Sequence, residues 1–346
     1  MFEINESYLF DFAKKLLSID SPSGYTMHAI HFMEEEAKSL GYTCEHNAKG
    51  NLLIRVPGYD STHTLALSAH CDTLGLMVRS IKENGTLAVT PIGSPTLPTL
   101  DSEYCRVLTR DGKVYTGTIL CKAAAKHVHP DASTLTRDAD TLEVRIDEVV
   151  KTKADVENLG IQNGDYIAID PKTVITKSGF IKSRFLDDKI SCSCLFSVLH
   201  YIKENNLRFK NDLLFVFSTF EEVGHGASSM PSDVDTMLAV DMGCIGLDLA
   251  CSEYDVSICA KDSSGPYDYA MTSTLISLAK DNQLNYAVDI YPMYGSDVSA
   301  ALKGGNDIKG ALIGPGVHAS HGMERTHISA LKSTISLVLA YLSANK

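Results

Sequence analysis

The run Leu213 to Ala227, LLFVFSTFEEVGHGA, starts as an apolar strand and ends on two adjacent carboxylates, Glu221 and Glu222. Neighbours on a strand point to opposite faces, and a buried unpaired carboxylate is costly to desolvate, so a compensating cation is expected. Four further stretches offer groups that could share such a cation. SAHCDTLG carries His70 and Asp72, SRFLDDKISC carries Asp187 and Asp188, TMLAVDMG carries Asp241, and GVHASHGMERTH carries His318, His321 and His327. Imidazoles and carboxylates are ligands for divalent ions, and a carboxylate not used as a ligand can transfer protons beside them.

Each stretch alone has a bland explanation. His-x-Asp can be a hydrogen-bonded pair at a strand end, and Asp187-Asp188 can cap a helix. Asp241 can form a turn, and loop histidines are mostly solvated. Jointly, the order H-x-D, D-D, E-E, D, H at successive strand ends or adjoining loops is hard to produce by accident. Ligands gather beyond the carboxyl ends of strands in open α/β sheets. Two divalent ions that share a bridging carboxylate and a water need about five protein ligands. His70, Asp187, Glu222, Asp241 and His321 supply that number, and one member of the Glu221-Glu222 pair is left over as a base. Cys71, between His70 and Asp72, faces away from them by strand alternation and reads as a small buried hydrophobe, as do Cys192 and Cys194.

The elements that must position these residues read as an α/β unit. Leu9, Phe10, Phe12, Ala13, Leu16 and Leu17 share one helical face, and a second amphipathic helix runs over 26–40. Leu65–Ala69 reads as a buried strand. Over 75–178, short strands alternate with turn signals at Asn84-Gly85, Asp111-Gly112 and Asn163-Gly164, which predicts an inserted all-β, barrel-like domain. Helix and strand then alternate: helix 191–204, strands 213–219 and 237–240, helix 268–280, strands 286–290 and 311–313, helix 328–342. The expectation is a central, mostly parallel sheet flanked by helices, built from 1–74 and 179–346.

The bulk numbers bound the function classes. The 346 residues carry 44% hydrophobic and 21% charged side chains and a formal net charge of −12, with no basic stripe to bind nucleic acid or an anionic membrane. The start, MFEINESYLFDFAKKLL, lacks the pattern of a signal peptide, and no apolar run reaches the ~18 residues of a membrane span. Nine scattered cysteines without a C-x-x-C pair point to reduced thiols and a cytoplasmic location.

With these residues in view, the chain resembles the tetrahedral (TET) or glutamyl-aminopeptidase-like metallopeptidases, within the clan of co-catalytic zinc or cobalt exopeptidases. The likeness extends through Gly50-Asn51, LGIQNGDYIAID and Gly295-Ser296-Asp297. The 115 positions from Asp72 to Asp187 hold the β-rich insert, and only 80 lie between Asp241 and His321, which selects this branch of the clan. The resemblance implies two divalent ions per subunit, zinc with cobalt or manganese as alternatives. It makes His70 and Asp241 ligands of one ion, Glu222 and His321 ligands of the other, and Asp187 the bridge. Asp72 then tunes the site, and Glu221 is the general base toward a water shared by the ions. Implied with these are aminopeptidase action on peptides and a homo-oligomer, as large as a dodecamer, in which the insert serves assembly or substrate access.

The chain also departs from the family pattern. Asp72-Thr73-Leu74-Gly75 stands where D-E-I-G is common, and Lys189 stands in place of an Arg. The loop after Glu221-Glu222-Val223-Gly224 is one residue shorter and carries His225, where the specificity pocket could change. Glu324 lies three rather than four residues after His321, which leaves His318 as the alternative last ligand. Rival readings are a dipeptidase or deacylase of the same clan, a metal-stabilised assembly subunit, and a glycoside hydrolase. The last would use paired carboxylates but needs no histidines, and a chain without Trp is an awkward sugar cleft.

Overall fold

The computed structural model describes residues 2–344 and contains a ten-stranded mixed sheet, a closed six-stranded barrel and a three-stranded sheet. Four strands at the centre of the large sheet run parallel, in the order Asn211–Ser218, Asp60–His70, Val234–Val240 and Lys309–Val317. Leu52–Val56 flanks them antiparallel on one side and Val256–Asp262 on the other. Alternation along these strands sorts the core into two layers. Leu65, Leu67, Ala69, Leu213, Phe215, Phe217, Leu238 and Val240 face one layer, while Ala66, Leu214, Val216, Met237 and Ala239 face the other.

The first layer is covered by the helices Glu6–Leu17, Leu186–Glu204 and Ile328–Ala344, and the second by the short helix Asp297–Lys303. Glu6–Leu17 buries Leu9, Phe12, Ala13, Leu16 and Leu17 at helical spacing, and Asn5 caps it by accepting the Tyr8 amide at 3.1 Å. Leu186–Glu204 is buried almost all round because the sheet lies on one side and two helices on the other. Several elements have no counterpart in the sequence reading, among them one strand of the large sheet and one short helix. The strand Val256–Asp262, paired with Lys309–Val317 on one side and Tyr286–Ile290 on the other, and the helix Asp297–Lys303 are short and lack a clear period. Cys71 is fully buried in the first layer, away from the imidazole and carboxylate that flank it.

The barrel closes from six strands between Gly75 and Ile169, around Leu76, Val78, Val89, Val107, Ile119, Val144 and Ile167. Gly85, Gly112 and Gly164 take φ of +81°, +83° and +88° at its turns, where a side chain would be strained. The short α-helix Lys153–Asn158 and the 3₁₀ helix Leu97–Leu100 interrupt the strands. Arg106 of the barrel grips Asp20 of the α/β unit with two bonds of 2.6 Å. Among the described residues, no helix is long and apolar enough to cross a membrane.

Candidate active site

The four parallel strands end at His70, Ser218, Val240 and Val317, so their carboxyl ends deliver His70, Glu221-Glu222, Asp241 and His321 to one place. His70 is the last residue of its strand, and Asp241 follows its strand directly. Glu221–Val223 form one turn of 3₁₀ helix rather than a continuation of the strand. The turn, not strand alternation, lets both glutamates reach the same cluster. Asp187 and Asp188 open the helix Leu186–Glu204 with non-helical backbone angles, and neither is the cap residue, which is Phe185.

Asp187 is the centre of the geometry. Its Oδ1 lies 3.0 Å from His70 Nε2 and its Oδ2 lies 3.4 Å from His321 Nε2. On the His70 side, Nε2 is 3.7 Å from Glu221 Oε2 and 3.9 Å from Asp241 Oδ2. On the other side, His321 Nε2 is 3.7 Å from Glu222 Oε2. Ligand atoms of His70, Glu221 and Asp241 lie within 4.8 Å of one another, as do those of His70, Asp187 and Glu222. The two sets share His70, so the groups form one continuous cluster with the Asp187 carboxylate across its middle.

Both imidazoles turn Nδ1 away from this cluster. His70 Nδ1 is 2.9 Å from the Asp72 carbonyl, and His321 Nδ1 is 2.9 Å from the Ser94 carbonyl. A carbonyl can only accept, so each Nδ1 carries a proton, and Nε2 is the nitrogen turned to the carboxylates, the one that a metal would take in place of a proton. His318, by contrast, is exposed, and its backbone pairs with Arg325. His327 bonds to Ser178 and Ser329, outside the cluster.

The charges are left unbalanced by protein groups. Asp187 is 5% exposed, Asp241 5%, Asp72 and Asp188 0%, yet the only cationic side chains ion-paired with this cluster, among the described residues, are the two histidines. Burial pushes the Glu221, Glu222 and Asp188 carboxyls well above their ordinary range. Burial and the neighbouring Asp187 carry Asp241 up to about 7. Asp187 goes the other way: although burial opposes it, hydrogen bonds with His321 and His70 hold it below the usual carboxylate range. Burial would depress both histidines, but the surrounding carboxylates together outweigh it, Asp187 with Glu221, Asp241 and Asp72 raising His70 well above its ordinary value, and Asp187 with Glu222 raising His321 to about 10. Glu222 Oε1 and Asp188 Oδ1 are buried without any hydrogen-bond partner. Orphaned acceptors beside two imidazole Nε2 atoms fit a divalent ion.

Several residues hold the cluster that sequence reasoning did not single out for that task. Asp72 accepts from the amides of Glu221 and Glu222 at 3.1 and 3.3 Å and from Ser23 Oγ at 2.5 Å, so it fixes the glutamate turn as well as His70. Asp188 Oδ2 accepts the His70 amide at 3.2 Å. Glu324 accepts the amides of Asp187 and His321 at 3.1 and 2.9 Å and ties their two segments together. Asp297, of the Gly-Ser-Asp triplet, accepts from Ser218 Oγ at 2.7 Å and the Ala227 amide at 2.9 Å, at either end of the glutamate loop. Acidic residues in such triplets were the available signal; their partners lie 70 or more positions away. His225 is exposed, stacked on Phe220 with ring centroids 4.9 Å apart.

Known proteins resemble this arrangement over the whole chain. A Bacillus subtilis (strain 168) protein named "Putative aminopeptidase YhfE" is 44% identical over 332 residues, 96% of each chain. The "Glutamyl aminopeptidase" of Lactococcus lactis subsp. cremoris is 26% identical over 241 residues, 67% of this chain and 66% of its own. The solved structure of the Pyrococcus horikoshii TET1 peptidase superposes with a TM-score of 0.84 at 20% identity, covering 97% and 99% of the two chains. The fold is therefore that of the TET peptidases: a mixed α/β sheet with a barrel-like insert. Residues 50–337 match the model of the M42 glutamyl aminopeptidase family, and the chain belongs to that family of metal-dependent aminopeptidases, hydrolases of the peptide bond.

Proposed function

We propose that the chain is an aminopeptidase that works with two divalent ions and uses Glu221 as its general base. The observation that carries this reading is the Asp187 carboxylate, which offers one oxygen to the Nε2 of each of two imidazoles. His70, Asp241 and Asp187 would hold one ion, and Asp187, Glu222 and His321 the other. Imidazole and carboxylate donors suit zinc, with cobalt or manganese as alternatives. When bound, such ions polarise a carbonyl and make water a stronger acid.

The chain's own residues do the rest. Glu221 reaches the His70 side of the cluster, and burial raises the proton affinity of its carboxylate. That suits a group that must take a proton from water and hand it to a departing amine. Asp72 locks the turn that carries Glu221, so the base keeps its orientation through both transfers. The excess of carboxylates favours a substrate with a free α-ammonium group, and so cleavage at an N-terminus.

Residues 75–178 would act as an inserted domain in assembly or substrate access. The Pyrococcus horikoshii relative "can assemble into a tetrahedron or a large octahedral shell", which supports a homo-oligomer here, with a dodecamer as the reference size. Nine unpaired cysteines support a reducing, cytoplasmic setting.

The test is hydrolysis of aminoacyl-p-nitroanilides, free and N-acetylated, after chelation and again with zinc, cobalt or manganese restored. Activity on free amines only, lost on chelation and regained with metal, is expected. Cleavage of the acetylated series would move the chain to the deacylases.

A further inference from the structure

We propose that the Gly93–Thr96 segment, which leads out of the barrel's second strand, is a positioning element for His321, so the inserted module completes the catalytic site. This rests on the ligand set proposed above. His321 sits at φ +62°, and Ala319, two residues earlier, sits at φ +59°. A histidine in the left-handed region is held there only when its surroundings over-determine it.

The surroundings that do so come mainly from the insert. The Ser94 carbonyl accepts from His321 Nδ1–H at 2.9 Å, with Ser94 Oγ 3.1 Å from the same nitrogen. The Thr96 amide donates to the His321 carbonyl at 2.9 Å. One residue of the insert thus sets the imidazole, and another two positions on sets the backbone beneath it. Within the α/β unit, the His321 amide donates to Glu324, and its Nε2 faces Asp187 and Glu222.

The segment itself is braced. Pro95 is buried, and Gly93 takes φ +69°, where an added Cβ would come within 2.5 Å of Leu74 Cδ2. Arg184, 3% exposed, fastens the base of the two loops together. It donates to the Thr99 carbonyl at 2.8 Å and to the Gly322 carbonyl at 3.2 Å. The Nδ1 bond to Ser94 also fixes which nitrogen of His321 is turned to the carboxylates. In metal sites, partners of this kind change affinity by about 10–100-fold when lost.

The test is Thr96→Pro in the full chain. Thr96 has φ −69°, which proline tolerates, so the change removes the amide that holds His321 and little else. Zinc binding is followed by calorimetry and by metal content after dialysis, beside wild type and His321→Ala. The expected result is about 10–100-fold weaker binding of one ion, the same ion that His321→Ala loses, with the other unchanged. Wild-type affinity for both ions in a folded Thr96→Pro protein would overturn the proposal.

If Thr96→Pro does not fold, Gly93→Ala displaces the same segment, and the same two outcomes decide. If His321→Ala keeps both ions, the ligand set is wrong, and amide exchange of 319–322 in the metal-free protein decides in its place. Faster exchange in the variant would uphold the positioning role, and unchanged exchange would end it.

Discussion

The barrel and the strand-end loops of the α/β unit treat charge in opposite ways. In the barrel, acidic side chains meet a lysine or arginine: Asp140 pairs with Arg79 at 3.0 Å, Glu143 with Lys82 at 2.7 Å, Asp101 with Arg137 at 2.9 Å. At the strand ends, Asp72, Asp187, Glu221, Glu222 and Asp241 gather around two histidines, more deeply buried and with no lysine or arginine paired to them among the described residues. Pairwise neutralisation is what a scaffold needs. A cluster that leaves carboxylates unmatched must take up protons or a cation, and that imbalance supports the site proposed above.

The contrast breaks most sharply at Asp187. Asp187→Ala removes the one group shared by both halves of the cluster, and loss of both ions and of all measurable peptidase activity is expected, read by metal analysis and turnover. A variant that keeps two ions would show that the cluster is not organised around this carboxylate. Next comes Glu221→Gln, which keeps the shape but cannot accept a proton. Turnover should fall by about 10²–10⁴-fold with metal content unchanged. Full activity would remove Glu221 from the base role.

A third effect sharpens the comparison through pH. Without metal, Asp241 is raised to about 7 by burial and Asp187, and His321 to about 10 by Asp187 against its burial. Each folded value lies above the unfolded one, so each group stabilises the metal-free fold at low pH and loses that contribution as pH rises. The window runs from about pH 4 to 7 for Asp241 and from about 6.5 to 10 for His321. Chelation should therefore lower the melting temperature more at pH 9 than at pH 6, because bound metal replaces those protons. Equal losses at both pH values would contradict this account. The smallest effect belongs to the barrel: Arg79→Ala breaks an exposed pair and should change stability by less than about 1 kcal/mol, with activity intact. A large loss of activity would mean that the barrel's surface charges take part in the chemistry.

Much of this site was legible in the chain because ligand types are short, local signals. His70, Asp72, Asp187, Glu222, Asp241 and His321 could be picked out by their places at strand ends or in adjoining segments; the four parallel strands bring all but Asp187 to one edge of the sheet, and the start of the helix Leu186–Glu204 brings Asp187. Glu221 and Glu222 were legible as a pair, but not as a turn. The apolar run before them reads as strand to its last residue, and only the bonds from Asp72 to their amides explain why the backbone coils there. The strand Val256–Asp262 and the helix Asp297–Lys303 escaped because neither carries a periodic pattern long enough to stand out from its neighbours.

What the sequence by itself determined is therefore the inventory: which side chains can bind a cation, the α/β alternation that presents them, and the β-rich interval that interrupts it. These follow from residue chemistry and periodicity, which act over a few neighbours. Only the tertiary structure decided how the inventory is used. It turned Nδ1 of each histidine onto a carbonyl, gave one oxygen of Asp187 to each imidazole, and left His318 on the surface. It also brought Ser94 against His321, 227 positions away in the chain. Contacts of that range depend on how two folded units pack, and no local pattern encodes them.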